Sequence, residues 1–302
     1  RIKLSVFVQQ QGVECDFSSS DSWVILSPIE QSIKRKIEAV GTPLKDWDIQ
    51  INYGIKTGFN DAFIINTEKR EEILSNCQTD EERSHTAELI RPILRGRDIK
   101  RYGYEWADLW IINTHNGIKG KLPRIDVNEY PTIKAHLDQY WDKIEKRADQ
   151  GDTPYNLRNC AYMEDFNKPK IVWGEISDRS KFAYESIGTF VPEATTFLMA
   201  GKHLPYLLCI LNSPMSEWFF SKVGTTTGVG TVRWKKFTIQ ELIIPIVSPV
   251  DEQFFEEQVQ NYIDHSIDTQ SFTSSVNKRI YSIVGLSDEE ISFAENYYPT
   301  ML

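Results

Sequence analysis

Four stretches of the 302-residue chain carry side chains whose types and spacing could do chemistry. In Trp173–Phe182, Glu175, Ser177, Arg179 and Lys181 fall at alternate positions, and alternate side chains of a strand share one face. Such a row has the groups that read base edges: Arg or Lys pairs with guanine, Glu accepts from cytosine N4, and Ser suits either. Asp178 would point the other way or lie in a turn. The same row would equally serve as an exposed strand face with cross-strand ion pairs. In Gly54–Asn60, two glycines permit a tight turn while Lys56, Thr57 and Asn60 supply a charge and donors of the kind that hold phosphates. Composition supports a solvent-facing loop there just as well.

Two further stretches are basic. In Arg91–Arg101, Gly96 lets the backbone turn while Arg95, Arg97, Lys100 and Arg101 stay free to reach phosphates; charge runs of this kind are usually solvated faces. In Gly224–Lys236, glycines allow close backbone approach, Thr225, Thr226, Thr227 and Thr231 offer hydroxyls, and Arg233, Lys235 and Lys236 flank Trp234. Such a loop could follow a phosphate backbone or enter a groove. Its plainer alternative is a hairpin with a snorkelling basic strand.

Catalytic signatures are missing. The glycine run lacks the Gly-Lys-Ser/Thr ending of a phosphate-binding loop. His85, His115, His136, His203 and His265 are scattered, with no His-Glu-x-x-His spacing. A metal-dependent nuclease needs clustered carboxylates with a nearby Lys; the nearest fragment, Asp98-Ile-Lys100, reads better as a salt-bridged turn. Cys15, Cys77, Cys160 and Cys209 form no Cys-x-x-Cys pair, which implies four reduced, mostly buried thiols.

The elements that must position these residues follow from local signals. Ser27-Pro-Ile-Glu30 is a capping box with Pro at the first helical position, and Ile29, Ile33, Ile37 and Val40 keep helical spacing, so a helix is expected over about 28–40. A second amphipathic helix should follow Pro131, with Ile133, Leu137, Tyr140, Trp141 and Ile144 on one face. Apolar runs at Ala62–Ile65, Leu109–Ile112, Lys170–Trp173, Thr195–Met199 and Leu242–Val247 read as strands. No regular strand-helix alternation appears, which predicts an α+β fold with a mixed sheet. Beyond Pro249 the pattern becomes helical, with a break at Gly285 and a second capping box at Ser287–Glu290.

Charge is unevenly spread. The net charge is −9, yet residues 251–302 hold ten acids against Lys278 and Arg279, leaving the rest close to neutral. Trp218–Gln240 contains no acid. Local basic loops on a near-neutral body can bind DNA, with much of the affinity coming from a partner domain. No apolar run approaches the roughly 20 residues that span a bilayer, and no leader-like segment opens the chain, so a soluble, cytoplasmic protein is expected.

The motifs, taken in order, resemble a known family. Gly54-Ile-Lys-Thr-Gly-Phe-Asn-Asp-Ala-Phe-Ile-Ile65, the Gly-Arg-Asp-Ile-Lys-Arg-Tyr run at 96–102, Asn156-Leu-Arg158, Lys170-Ile-Val-Trp-Gly174, Leu211-Asn-Ser-Pro214, Arg233-Trp-Lys-Lys236 and Ile243-Ile-Pro-Ile246 are similar to the TaqI-like C-terminal specificity domain of adenine-N6 DNA methyltransferases and type IIG restriction-modification enzymes. The resemblance covers about residues 22–250. It implies a connector at 1–21, a DNA target-recognition domain at 22–250 and an acidic helical tail at 251–302. It further implies double-stranded DNA and an upstream methyltransferase domain as partners, in a parent that is an adenine-N6 methyltransferase, alone or fused to an endonuclease. The parent would use S-adenosylmethionine, but this chain holds neither the Asn/Asp-Pro-Pro-Tyr/Phe tetrapeptide nor Phe-x-Gly-x-Gly, so no cofactor, no metal and no catalytic residue is expected in it. On this reading Lys56, Thr57, Asn60, Arg95, Arg97, Lys100, Arg101, Thr226, Thr227, Arg233, Lys235 and Lys236 meet the DNA backbone, and Glu175, Ser177, Arg179 and Lys181 read bases. The rival readings are a metal-dependent nuclease fragment and an assembly module whose acidic tail docks on a basic partner.

Overall fold

The computed structural model describes residues 26–223, 225–226 and 232–297. The connector expected at 1–21 and Cys15 lie outside them. Among these described residues the strands in chain order are β1 (Gly41–Pro43), β2 (Ile49–Tyr53), β3 (Ile64–Asn66), β4 (Ile90–Leu94), β5 (Leu109–Ile112), β6 (Lys170–Gly174), β7 (Ile176–Ser177), β8 (Phe182–Glu185), β9 (Val191–Pro192), β10 (Thr196–Gly201), β11 (Thr225–Thr226), β12 (Val232–Arg233) and β13 (Ile243–Pro245). Helices and strands intermix, as an α+β fold requires. The chain divides into two compact units: Asp48–Asn212 with Thr226–Lys236, and Arg1–Trp47 with Ser213–Thr225 and Phe237–Leu302.

The first unit is built on two four-stranded sheets, ordered β2-β10-β6-β8 and β3-β5-β4-β9. The first is antiparallel throughout, and its register sets Tyr53, Phe197, Trp173 and Phe182 side by side across all four strands. Phe197 and Trp173 stack at 5.5 Å between ring centroids. Aromatic cross-strand pairs of this kind fix register as well as burying area. In the second sheet β4 pairs β9 in parallel, Ile93 opposite Val191, and β5 antiparallel. The helix after Pro131 packs Ile133 and Leu137 into this unit's core, but it stops at Asp138, and a separate turn at Trp141–Ile144 buries Ile144. The expected single face is therefore broken: Trp141 is 37% exposed. The apolar run Ala62–Ile65 splits likewise into a helical turn, Asn60–Phe63, and β3.

In the second unit the helix Pro28–Val40 begins at the Ser27 capping box and buries Ile33 and Ile37. β1 and β13 form a two-stranded antiparallel ribbon. Three helices, Pro249–Ile263, Thr269–Val284 and Asp288–Asn296, make up the acidic end; Gly285, at φ +72°, closes the middle one and the Ser287 box opens the last. Both capping-box glutamates also bridge helices. Glu30 accepts from Lys222 at 2.7 Å and from the Trp218 indole at 3.2 Å; Glu290 accepts from Lys36 and the Ser32 hydroxyl, each at 2.7 Å. Burial alone would raise both carboxyls, yet the Lys partners and the cap hydrogen bonds outweigh it and hold each down to about 2.

Among the described residues Cys77, Cys160 and Cys209 are free thiols. Cys209 is buried and the other two half-buried. Burial pushes the Cys160 thiol up to about 11. No helix among the described residues is long and apolar enough to cross a membrane.

Candidate nucleic-acid interface

Within the first unit, β4 runs into a 3-10 turn, Gly96–Asp98, that meets the end of β6 backbone to backbone. A Cβ on Gly174 would lie 3.4 Å from the Gly96 Cα, and one on Gly96 would lie 3.3 Å from the Thr195 hydroxyl. The Gly96 N–H donates to that hydroxyl at 3.2 Å, and the Glu175 N–H donates to the Thr195 carbonyl at 3.0 Å. Thr195 is held by Glu193, whose carboxylate accepts from its N–H and hydroxyl at 2.9 and 2.6 Å. Two sequence stretches expected to face DNA, Arg95–Arg101 and Glu175–Lys181, are thus joined at one point. Glu193 and Thr195 were not singled out by the sequence, because their role is made by neighbours from distant segments.

The basic residues of the turn differ in what they are free to do. Arg95 grips Asp98 through two guanidinium nitrogens, at 3.1 and 2.8 Å. Asp98 is 4% exposed and raises the Arg95 guanidinium, so that arginine is committed to holding the turn. Arg97 is exposed, and among the described residues no ion pair engages it. Lys100 makes only a loose pair with Glu105, both well exposed, at 3.3 Å. Arg101 donates to the carbonyl and hydroxyl of buried Ser180 at 3.3 and 3.1 Å, which ties this loop to the bend before β8.

The strand expected from Trp173 to Phe182 is not continuous. β6 stops at Gly174, Ile176–Ser177 turns away to pair with Val232–Arg233, and residues 178–181 bend before β8. Gly96 packs on Gly174 where β6 ends, and beyond it the Glu175 carbonyl accepts from the Trp234 N–H at 2.8 Å. Glu175, Ser177, Arg179 and Lys181 accordingly do not form one alternating row; they stand on a bent loop. Lys181 pairs with Asp178 at 2.7 Å and holds that carboxyl below its usual range. Glu175 and Arg233 approach at 3.8 Å, each about two-fifths exposed. Arg179 is half-buried and has partners within the chain. The loop is anchored behind by Asn212, which is fully buried: its side chain accepts from the Phe182 N–H at 3.0 Å and donates to the Phe182 carbonyl at 2.9 Å.

Gly54–Asn60 starts beside the same junction. The Gly54 N–H donates to Thr196 at 2.9 Å, and a Cβ there would sit 2.0 Å from the Glu193 carbonyl oxygen, so only glycine fits. Lys56 and Asn60 are exposed. Thr57, expected to offer a donor to phosphate, is 2% exposed; its hydroxyl donates to Asn60 at 2.5 Å and its carbonyl accepts from Arg147 at 2.5 Å. It shapes the turn from inside. Arg147 is itself buried without a carboxylate partner among its hydrogen bonds: it also serves the carbonyls of Asp149, Pro154 and Asn156, and burial lowers its guanidinium to about 10. Lys235 and Lys236 are half-buried. Thr227 lies outside the described residues, and of Thr226 only the backbone in β11 is described. Among the described residues no cluster of three His, Cys, Asp or Glu could hold a metal.

An α+β body thus joins the starts of three polar loops, at Gly54, Gly96 and Glu175, around Glu193 and Thr195. The TaqI-like C-terminal specificity domain matches residues 91–246, and the chain belongs to that family. It is 21% identical over 280 residues to the type II methyltransferase M.PaeR7I of Pseudomonas aeruginosa, a match over 91% of this chain and 45% of that protein. Its fold is similar to the type IIL restriction-modification enzyme MmeI in complex with DNA (TM-score 0.59, 13% identity, 83% of this chain and 35% of that one). It is also similar to the type IIG restriction endonuclease BpuSI (TM-score 0.50, 14% identity, 85% and 33%). The chain spans less than half the length of each of these relatives.

Proposed function

We propose that this chain recognises a specific sequence of duplex DNA on behalf of an adenine-N6 methyltransferase, alone or fused to an endonuclease, that acts in the cytoplasm. The observation that carries the reading is the Gly96–Gly174–Thr195 junction, which unites a loop of exposed bases with a loop of mixed donors and acceptors. Lys56, Arg97, Lys100, Arg233, Lys235 and Lys236 hold phosphates, helped by Arg101, Asn60 and the Thr226–Thr227 hydroxyls, and set the register of the duplex. Arg95 and Thr57 position the turns that carry them. Glu175, Ser177, Arg179 and Lys181 read base edges from the bent loop, which can enter the major groove without being a strand.

S-adenosylmethionine supplies the methyl group in such a reaction. Neither the tetrapeptide that would hold a flipped adenine nor the glycine motif for the donor occurs in these 302 residues, so this chain's side chains do not fit that cofactor. The methyltransferase domain is the partner that would bind it. Neither rival reading, nuclease fragment or acidic assembly module, gains an observation from the structure or the relatives.

The test compares Arg97→Ala with Arg179→Ala in the intact methyltransferase. Arg97→Ala should weaken binding to every sequence alike and lower the slope of log K against log salt by about 0.9. Arg179→Ala should cost roughly 1–3 kcal/mol at one base position in a methylation-site profile and leave non-specific binding nearly unchanged. A uniform loss for Arg179→Ala would assign that residue to the backbone instead, and no effect of either variant would remove this surface from the interface.

A further inference from the structure

A second basic feature stands in the first unit, outside the loops just described. His115–Ile125 contains Lys119, Lys121 and Arg124 and no acid, in a chain whose net charge is −9. Its base is closed by the Ile125 N–H donating to the His115 carbonyl at 3.1 Å. Higher up, Ile118 and Leu122 exchange two backbone hydrogen bonds, at 2.8 and 2.9 Å, and rest their side chains on the core. The fold of the loop depends on glycine twice. Gly117 has φ +70° and a Cβ there would fall 2.4 Å from the Leu122 carbonyl oxygen; Gly120 has φ +75° with open space around it. Asn116 fastens the whole hairpin, donating to Asp152 at 3.0 Å and to Asn159 at 2.5 Å and accepting from the Asp152 N–H at 2.8 Å.

The result is a braced hairpin with a charged tip. Lys119 is exposed, and no ion pair engages it among the described residues. The backbone N–H groups of Lys119 and Gly120 have no acceptor among the described residues, which leaves two adjacent donors beside three cations. Lys121 pairs with Glu164 and Arg124 with Asp152 at 3.8 Å, but all four side chains are two-fifths or more exposed. Exposed pairs of this kind are worth little and exchange readily for a phosphate. Beside the hairpin lies a cleft of about 640 Å³, with Asn116, Asp152 and Asn159 in its wall.

From these observations we infer that the Gly117–Arg124 hairpin is a second phosphate-holding element, which grips the backbone of duplex DNA at a place separate from the Arg97 surface. The inference rests on the DNA-recognition reading above. Contacts to phosphate oxygens carry no sequence information, so the hairpin lengthens the footprint and adds affinity without adding specificity. It also answers the charge problem, because a chain of net negative charge gains DNA affinity only through cations concentrated at the contact points.

The experiment measures binding of the intact methyltransferase to its target duplex and to a random-sequence duplex over a range of salt. Lys119→Ala/Lys121→Ala/Arg124→Ala should reduce the salt slope by about 2 to 3, near 0.9 per lost contact, equally for both duplexes. Lys119→Arg/Lys121→Arg/Arg124→Lys should keep the wild-type slope, and Lys69→Ala/Lys278→Ala, which removes charge elsewhere, should change it much less. An unchanged slope in the triple alanine variant, with Arg97→Ala still weakening binding, overturns the hairpin and leaves the DNA-recognition reading standing. Loss of binding in the charge-retaining variant as well would make the hairpin's role structural and overturn the inference too. A wild-type protein that binds neither duplex would overturn both.

Discussion

The ion pair between Lys170 and Glu185 invites a quantitative test, because both side chains are essentially without solvent contact, at 0% and 1% exposure. They sit opposite each other in the β6–β8 pairing, and the Lys170 ammonium spends its three protons on Glu185 at 2.5 Å and on the carbonyls of Phe166 and Lys168 at 3.0 and 3.2 Å. The second carboxylate oxygen accepts from the N–H groups of Ile187 and Gly188 at 3.0 and 2.9 Å. Burial nonetheless lowers the Lys170 ammonium below its ordinary value, so the charge is held at a cost. Glu185→Gln keeps the acceptor for the two N–H groups but turns an amide N–H₂ towards the ammonium. An orphaned buried charge of this kind should cost about 3–5 kcal/mol. The sign of its pH dependence follows: the folded-state pKa of Lys170 falls further below its unfolded value, the unfolded chain binds more protons, and stability should recover as pH rises towards about 10. Lys170→Met in the same background removes the orphan and should restore most of the loss, to within about 1–2 kcal/mol of wild type. Hydrogen exchange of the β6 and β8 amides is the suitable assay, since it reads this sheet without assuming that the whole chain unfolds in one step. A cost under about 1 kcal/mol for Glu185→Gln, or a double variant no more stable than the single, would refute the reasoning.

Gly54→Ala should prevent the native approach to Glu193, where the new Cβ would lie 2.0 Å from a carbonyl oxygen; a loss of about 3 kcal/mol or more in chemical denaturation is expected, and a variant within experimental error of wild type would contradict the contact. Glu30 and Glu290, each held at about 2, should contribute roughly 1–2 kcal/mol apiece after allowance for partial solvent access. That contribution is complete above the ordinary carboxylate pKa near 4.5 and fades as pH falls towards 2, so Glu30→Gln and Glu290→Gln should each flatten an acid-unfolding curve over that interval. Titration calorimetry with S-adenosylmethionine should give no saturable heat in the micromolar range, and a bound stoichiometry near one would overturn the assignment of that cofactor to the methyltransferase domain.

Signals confined to a few neighbouring residues were legible in the sequence. The Ser27 and Ser287 boxes, Pro131 and Gly285 mark helix ends where the structure has them, because a cap is made by residues three apart. What failed was made by distance in the chain. The expected strand over Trp173–Phe182 looks sound until Ile176–Ser177 pairs with Val232–Arg233, a partnership across more than fifty residues that no local pattern announces. Ala62–Ile65 shows the familiar ambiguity of short apolar runs, which periodicity cannot divide between helix and strand. Arg95 is different: its partner Asp98 lies three residues on, so its commitment to the turn could have been read from the sequence. Thr57 and Arg147 could not, since both are buried by each other's segments across ninety residues.

The division of the chain into interleaved units has a consequence for synthesis. The helix Pro28–Val40 belongs to a unit that, apart from the short segment up to Trp47 with β1, resumes only at Ser213, so it emerges from the ribosome long before the helix Thr269–Val284 and the strand β13 that it packs against. At about 5–20 residues per second the delay is roughly 10–30 s, during which Ile33 and Ile37 lack their native cover. The Asp48–Asn212 segment, by contrast, contains both four-stranded sheets and can collapse as it appears. Its early folding shortens the effective loop that the second unit must close, lowering the entropy of bringing residues 28–40 to their partners. A mutation that slows the sheets would therefore be felt first as aggregation of the waiting helix, and expression yield, more than the melting curve of the finished protein, is where such damage should surface.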